Sequence, residues 1–137
     1  MKIFKDNPYR GKLKSDNGTY KKGQWVFGDL VMISDGRKRI PHIYGCGEVY
    51  AESVGQSTGV KIEDKEIFDG DILENQTGVY IVFWDEKFLN WSTMNRKGKG
   101  CFALTTLLTD TKRPCKIIGN VIDNPEILKG DFENGRI

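Results

Sequence analysis

The sequence predicts a mostly β protein with one or two short helices, and three observations lead there. Apolar residues come in short runs of strand formers bounded by turn residues, as in Gly78-Val79-Tyr80-Ile81-Val82-Phe83-Trp84. Sixteen glycines stand against four prolines, which favours many turns over long helices. Helical spacing is confined to Leu104-Thr105-Thr106-Leu107-Leu108, where leucines recur at i, i+3 and i+4.

Each element follows from its residues. Trp25-Val26-Phe27-Gly28-Asp29-Leu30-Val31-Met32-Ile33 reads as one strand with a bulge at Gly28, closed by the turn signal Ser34-Asp35-Gly36. Residues 38–44 continue as the return strand, and Pro41, which has no N–H to give a ladder, places that strand at an edge. Residues 48–54 alternate, with Val49, Ala51 and Ser53 on one face and Glu48, Tyr50 and Glu52 on the other, the period of a strand. Gly55 and Gly59 bracket Gln56-Ser57-Thr58, a tight turn that needs positive φ at one glycine or both.

Asp69-Gly70-Asp71 is a turn leading into a strand, with Asp69 placed to accept from nearby backbone N–H groups. Residues 70–74 and 78–84 pair across Asn75-Gln76-Thr77, and residues 87–92 return after Asp85-Glu86. Pro114 stops the short helix, and residues 115–122 form a last strand in which Gly119-Asn120 marks a bulge or a close backbone approach. Asn124 is placed to cap a final helical turn, with Pro125 at its first position and Glu126 favourable beside it.

The 137 residues and 15.6 kDa correspond to one ordinary domain or two small lobes. Leu, Ile, Val and Phe supply roughly a quarter of the chain, lean but above the level where disorder is the default. Met1-Lys2-Ile3-Phe4-Lys5-Asp6 holds no signal-peptide core, and no window approaches the ~20 apolar residues of a spanning helix. Cys46, Cys101 and Cys115 are odd in number and scattered, unlike a disulfide framework, so the expected compartment is a reducing cytoplasm.

The net charge of +2 hides a gradient. Residues 1–44 carry ten Lys/Arg and four Asp/Glu (+6), residues 45–92 three and ten (−7), and residues 93–137 eight and five (+3). Basic ends around an acidic middle suit a phosphate-facing surface near the N-terminus, and equally suit packing within or between chains.

The segment VGQSTGVKIEDKEIFDGDIL, Val54 to Leu73, closely resembles the signature of the YopX family. These are small proteins of bacteriophages and prophages of low-GC Gram-positive bacteria, whose pattern reads VGQ-x-TG, an acidic variable stretch, then EI-[YF]-x-GDI. GVYIVFW (Gly78 to Trp84), IIGNVIDNPEIL (Ile117 to Leu128) and GQWVFGDLV (Gly23 to Val31) resemble further family segments in the same order. The start departs from it. Many relatives open with a strand carrying Arg-Ala-Trp-Asp, where this chain has Asn7-Pro8-Tyr9-Arg10-Gly11 and the turn Ser15-Asp16-Asn17-Gly18. The resemblance implies an SH3-like small barrel module joined to additional N-terminal β structure. The expected organisation is an N-terminal β region over 1–53, the barrel module over 54–130 packed with it as one compact domain, and a loose tail over 131–137. The resemblance implies no catalytic residues.

Gly55, Gly59, Gly70, Asp71, Gly119, Asn120 and Pro125 all have structural explanations in turns, bulges and caps. Glu63, Asp64, Glu66, Asp69 and Asp71 form a carboxylate-rich stretch, but without the ligand order of a calcium loop. His42 and Cys46, with Cys101 or Cys115, lack the Cys-x-x-Cys pair of a structural zinc site, and a Cys–His nucleophile pair is only a formal alternative. Gly98-Lys99-Gly100 lacks the strand and Lys-Ser/Thr ending of a phosphate loop. We therefore expect no catalytic set, no metal and no cofactor.

The signal above background is that both faces of Val79 to Trp84 are apolar, with Phe88 and Trp91 following. Tyr80 and Trp84 on an outer face must then be covered or bind something. The leading expectation is a non-enzymatic adaptor acting through a protein partner or self-association at Tyr80, Trp84, Phe88 and Trp91. The alternative is nucleic-acid binding through Arg37, Lys38, Arg39, Arg96, Lys97 and Lys99. An enzyme acting on a nucleotide is the third reading.

Overall fold

The computed structural model describes residues 6–100 and 102–129; the expected loose tail at 131–137 and Cys101 lie outside the described residues. The chain is mostly β, as expected, with one short α-helix among the described residues. It divides into two compact units, Met1–Val60 and Lys61–Ile137.

In the first unit, β1 (Tyr9–Lys12) lies between β2 (Trp25–Gly28) and the start of β6 (Gly55–Ile62), antiparallel to both. A second sheet runs β3 (Leu30–Asp35), β4 (Lys38–Ile43), β5 (Gly47–Glu48). The core between these strands is Leu13, Val26, Ile43 and Val49, with Tyr9, Leu30, Cys46 and Val54 packed against it. Gly11 is needed for this approach, since a Cβ there would come within 2.8 Å of Val49 Cγ2.

Four sequence expectations are corrected here. The single strand expected over 25–33 is two, because Gly28 (φ 149°) turns the chain from the β1 sheet onto β4. The Asp29 carbonyl, between the two strands, accepts the Tyr44 N–H at 2.8 Å. The Pro41 strand is central rather than an edge, with β3 on one side and β5 on the other. The Pro41 carbonyl accepts the Val49 N–H at 3.1 Å, so its ring nitrogen faces the β5 side. The missing donor shortens that ladder to His42↔Glu48 and Ile43↔Gly47 and leaves the β3 ladder whole.

The strand expected over 48–54 stops at Glu48 and becomes a 3₁₀ turn, Ala51–Ser53. There Ser53 Oγ donates to the Tyr50 carbonyl (2.6 Å) and accepts the Lys12 N–H (2.7 Å), a local competitor that outweighs the alternating pattern. The Gly55–Gly59 turn is instead the start of β6. Of the two glycines only Gly59 has positive φ, at 79°. Ser57 Oγ and Thr58 Oγ1 accept the N–H groups of Gly59 (3.0 Å) and Val60 (3.1 Å), bridging the irregularity within the strand.

β6 continues into the second unit, where Glu63 (φ 49°) and Asp64 (φ 67°) make the two-residue turn to β7 (Lys65–Phe68). The acidic stretch is thus divided among this turn (Glu63, Asp64), β7 (Glu66), the Asp69-Gly70 turn and the strand that starts at Asp71. The larger sheet is fully antiparallel, in the order β11 (Phe102–Ala103), β10 (Asn90–Asn95), β9 (Gly78–Asp85), β8 (Asp71–Asn75), β12 (Lys116–Asn120). The predicted leucine helix is α1 (Leu104–Leu108); its Leu104 and Leu107 are buried, as are Ile67, Phe68, Ile72, Leu73, Val79 and Val82 of the same unit. Their burial stabilises by about 1.5–3 kcal/mol for each large apolar side chain.

Two polar knots close this unit. At Asp69-Gly70-Asp71 the carboxylate of the buried Asp71 accepts the Phe68 N–H at 2.8 Å. At Gly119 both sequence expectations hold, since the register slips between Ile117 and Gly119 and a Cβ would meet Asn124 Cγ at 2.8 Å. Asn120 Oδ1 accepts the N–H groups of Ile122 (3.0 Å) and Asp123 (2.9 Å). Asn124 Oδ1 reaches back to the Asn120 N–H at 3.2 Å, so its side chain bonds the strand and does not cap the following turn as expected. Pro125 does begin a 3₁₀ turn, Pro125–Lys129.

Candidate interaction surface

The register of β9 and β10 sets the site. Trp84 lies opposite Trp91, and the rings meet edge to face at 5.3 Å, a geometry favoured by the ring quadrupoles. Asp85 Oδ1 accepts the Lys87 N–H at 2.9 Å and the Phe88 N–H at 3.4 Å, tightening the turn that follows. Leu89 then takes φ 53°, an uncommon value for a side chain of its size. Phe88 and Leu89 consequently stand at the hairpin tip, 68% and 72% exposed, beside Trp84 at 44%. Lys87 Nζ sits 5.5 Å from the centre of the Phe88 ring, so the tip is apolar with a cationic border.

Of the four residues expected at an interface, Trp84, Phe88 and Trp91 belong to this tip; Tyr80 does not. Tyr80 shares the buried face of β9 with Val82, its hydroxyl 2.7 Å from Thr77 Oγ1 and its ring edge-on to Phe102 at 6.3 Å. The outer face of β9 is the half-buried one of Ile81 and Phe83. Alternation alone could not say which apolar face turns inward. Leu89 escaped the sequence reading, although two adjacent apolar residues in an otherwise charged turn, Asp85-Glu86-Lys87-Phe88-Leu89-Asn90, were a visible signal.

The cationic residues form two separate groups. Arg37, Lys38 and Arg39 are exposed at the β3–β4 turn of the first unit. Lys97 and Lys99 are exposed in the loop after β10, with half-buried Arg96 before them, and Asn95 Oδ1 holds the loop by accepting the Lys97 and Lys99 N–H groups at 2.9 and 3.0 Å. Gly70 (φ 86°) admits the close approach of Val121, whose Cγ2 would lie 3.1 Å from a Cβ.

An open cavity of about 340 Å³ lies beside Tyr80, Phe102 and Leu107, with an Asp110–Arg113 ion pair of 3.6 Å at its rim. In a neighbouring groove, burial pushes the Cys115 thiol up, partly opposed by a hydrogen bond with Asn75 and reinforced by the charge of Asp110. A raised thiol is a poor nucleophile at neutral pH. His42 Nδ1 lies 3.2 Å from the Ile40 carbonyl. Among the described residues no three of His, Cys, Asp and Glu are grouped to hold a metal ion. No described helix is long and apolar enough to cross a membrane.

The fold and its surface define a small, mostly β protein whose most distinct surface feature is an apolar hairpin tip. The YopX protein family matches residues 9–129, and the chain belongs to that family. No curated protein matches the sequence.

Proposed function

We propose that this protein is a non-enzymatic adaptor of a phage or prophage, acting in the host cytoplasm by protein–protein contact. The observation that carries this reading is the β9–β10 tip, where Trp84, Phe88 and Leu89 are exposed together on a backbone held by Asp85. Aromatic residues preset by their neighbours lose little freedom on binding, which makes Trp the commonest anchor of protein interfaces. The phage context is what the resemblance to the YopX family implies, and the SH3-like barrel is the architecture proposed for the second unit. A photo-crosslinking phenylalanine analogue at Phe88, expressed in the host, should trap one defined protein. The same analogue at Lys97 should not. Equal, diffuse labelling from both positions would overturn the reading.

The second reading is nucleic-acid binding, favoured by the exposure of Arg37 in the β3–β4 turn and of Lys38 and Arg39 at the start of β4. Anisotropy of labelled DNA and RNA should then rise with protein and fall steeply with salt, with a log–log slope near −1 per phosphate contact. Lys38→Glu should flatten it; traces insensitive to salt reject this reading.

A further inference from the structure

Among the described residues β3 is the edge of its sheet, and its apolar residues are exposed. Val31, Met32 and Ile33 are consecutive and exposed by 37%, 37% and 47%, so apolar side chains on both faces of the strand meet water. Exposed edges are normally guarded by a charge, a proline or a bulge. Leu30-Val31-Met32-Ile33-Ser34 contains no charge and no proline, and its ladder to β4 runs without a break from Leu30↔Ile43 to Asp35↔Lys38.

The polar groups of this edge can be placed. The Tyr44 N–H bonds the Asp29 carbonyl at 2.8 Å, and in the same register Val31 faces His42, Ile33 faces Ile40 and Asp35 faces Lys38. Antiparallel ladders alternate, so residues 29, 31, 33 and 35 turn their N–H and C=O groups to β4. Leu30, Met32 and Ser34 therefore direct theirs to the open side.

We propose that two copies of the chain pair through this edge, β3 against β3, about a two-fold axis at Ile33. Pairing needs outward-facing residues opposite one another. With the axis at Ile33, Met32 of each copy faces Ser34 of the other and the two Ile33 side chains meet in a close, non-hydrogen-bonded pair. Gly36 and Arg37 turn away from the strand, and this register sets that turn, with its exposed Arg37, beside the exposed Asp29 of the other copy. The competing register, centred on Met32, sets Asp29 against Asp35 twice, and like charges directly opposite are unfavourable. A register centred on Val31 avoids that repulsion but moves the Arg37 turn away from Asp29, so the attraction of these two exposed charges favours a second copy as the occupant and Ile33 as the axis. Five residues a side fall short of a standard interface, so the dimer is a reversible one of micromolar affinity or weaker. The inference deepens the adaptor reading by naming a second copy as one partner, and it uses none of the residues of the β9–β10 tip.

Sedimentation velocity across a concentration series tests it. The wild-type chain should pass from monomer to dimer. Met32→Pro removes an N–H that only the open edge uses, and should stay monomeric at every concentration with an unchanged circular dichroism spectrum. Arg37→Asp, an exposed change that leaves folding alone, should weaken the dimer at least tenfold, and adding Asp29→Arg should restore it. Ile33→Cys, with the native cysteines replaced by serine, should oxidise to a covalent dimer, whereas Val31→Cys should not. A wild-type chain monomeric throughout, or a dimer indifferent to both Met32→Pro and Arg37→Asp, would overturn the proposal. Crosslinking at Phe88 in the Met32→Pro chain reads the adaptor function separately, so the failure of one is distinguishable from the failure of the other.

Discussion

Gly119→Ala is the most demanding test of how β12 is anchored. Gly119 does not occupy the left-handed region, so alanine suits its backbone; the obstacle is Asn124, whose Cγ would lie 2.8 Å and Cβ 3.1 Å from the new methyl. Asn124 must move, which breaks its bond to the buried Asn120's N–H. Overpacking costs about 1–3 kcal/mol and the lost hydrogen bond about 1 kcal/mol. A stiffer unfolded chain returns about 0.4–1 kcal/mol. The net is a destabilisation of about 2 kcal/mol from these three terms.

Besides a long, exposed bond from Nδ2 to Glu126 that adds little, Asn124→Ala alone loses the bond to Asn120, about 1 kcal/mol. In the double variant that bond is lost once and most of the clash disappears, so it should fall about 2 kcal/mol short of the sum of the singles. Urea unfolding followed by the Trp84 and Trp91 fluorescence of the same unit, in a Trp25→Phe background, reads the cycle. A change of 2 kcal/mol moves the midpoint by about 1 M at a typical slope. Additive singles and double would refute the claim that Asn124 is what Gly119 makes room for.

Other expectations follow from single contacts. Asp71→Ala strands the buried Phe68 N–H and should destabilise the second unit by about 1–3 kcal/mol; a midpoint shift within error would remove Asp71 from the account. Leu89→Ser changes an exposed tip residue and should move stability by less than about 0.5 kcal/mol while abolishing the partner trapped by the crosslinker at Phe88. Cys115 should alkylate more slowly than a free thiol at pH 8 and accelerate as pH rises, because its raised pKa leaves less thiolate. Asp110→Asn should quicken the reaction and Asn75→Ala should slow it, as peptide-resolved mass spectrometry would show; opposite signs would reverse the assignment of causes.

The short helix, the β8–β9 hairpin and the special place of Gly119 were legible in the sequence because each rests on local chemistry. Leucine spacing, turn residues and the missing Cβ act within a few residues of themselves. The family, too, was legible, since its motifs are turn and bulge residues in a set order. The Pro41 strand was misplaced for a nonlocal reason. A proline excludes a ladder bond on one side only, and which neighbour lies on that side is settled by the fold. Residues 48–54 alternate like a strand, yet Ser53 finds Lys12, distant in sequence, and the chain turns.

The candidate surface divides in the same way. Trp84, Phe88 and Trp91 could be picked out as surplus apolar residues near one hairpin, because composition and period are properties of the chain itself. Tyr80 stands in that same run and is buried, while Leu89 was passed over and is the most exposed of the tip's apolar side chains. Period two says that neighbours point to opposite faces, and it is silent on which face the core occupies. That choice belongs to the tertiary structure. Val82 is fully buried and Tyr80, on the same face, is buried with it, while Trp84 at the end of β9 stands in water.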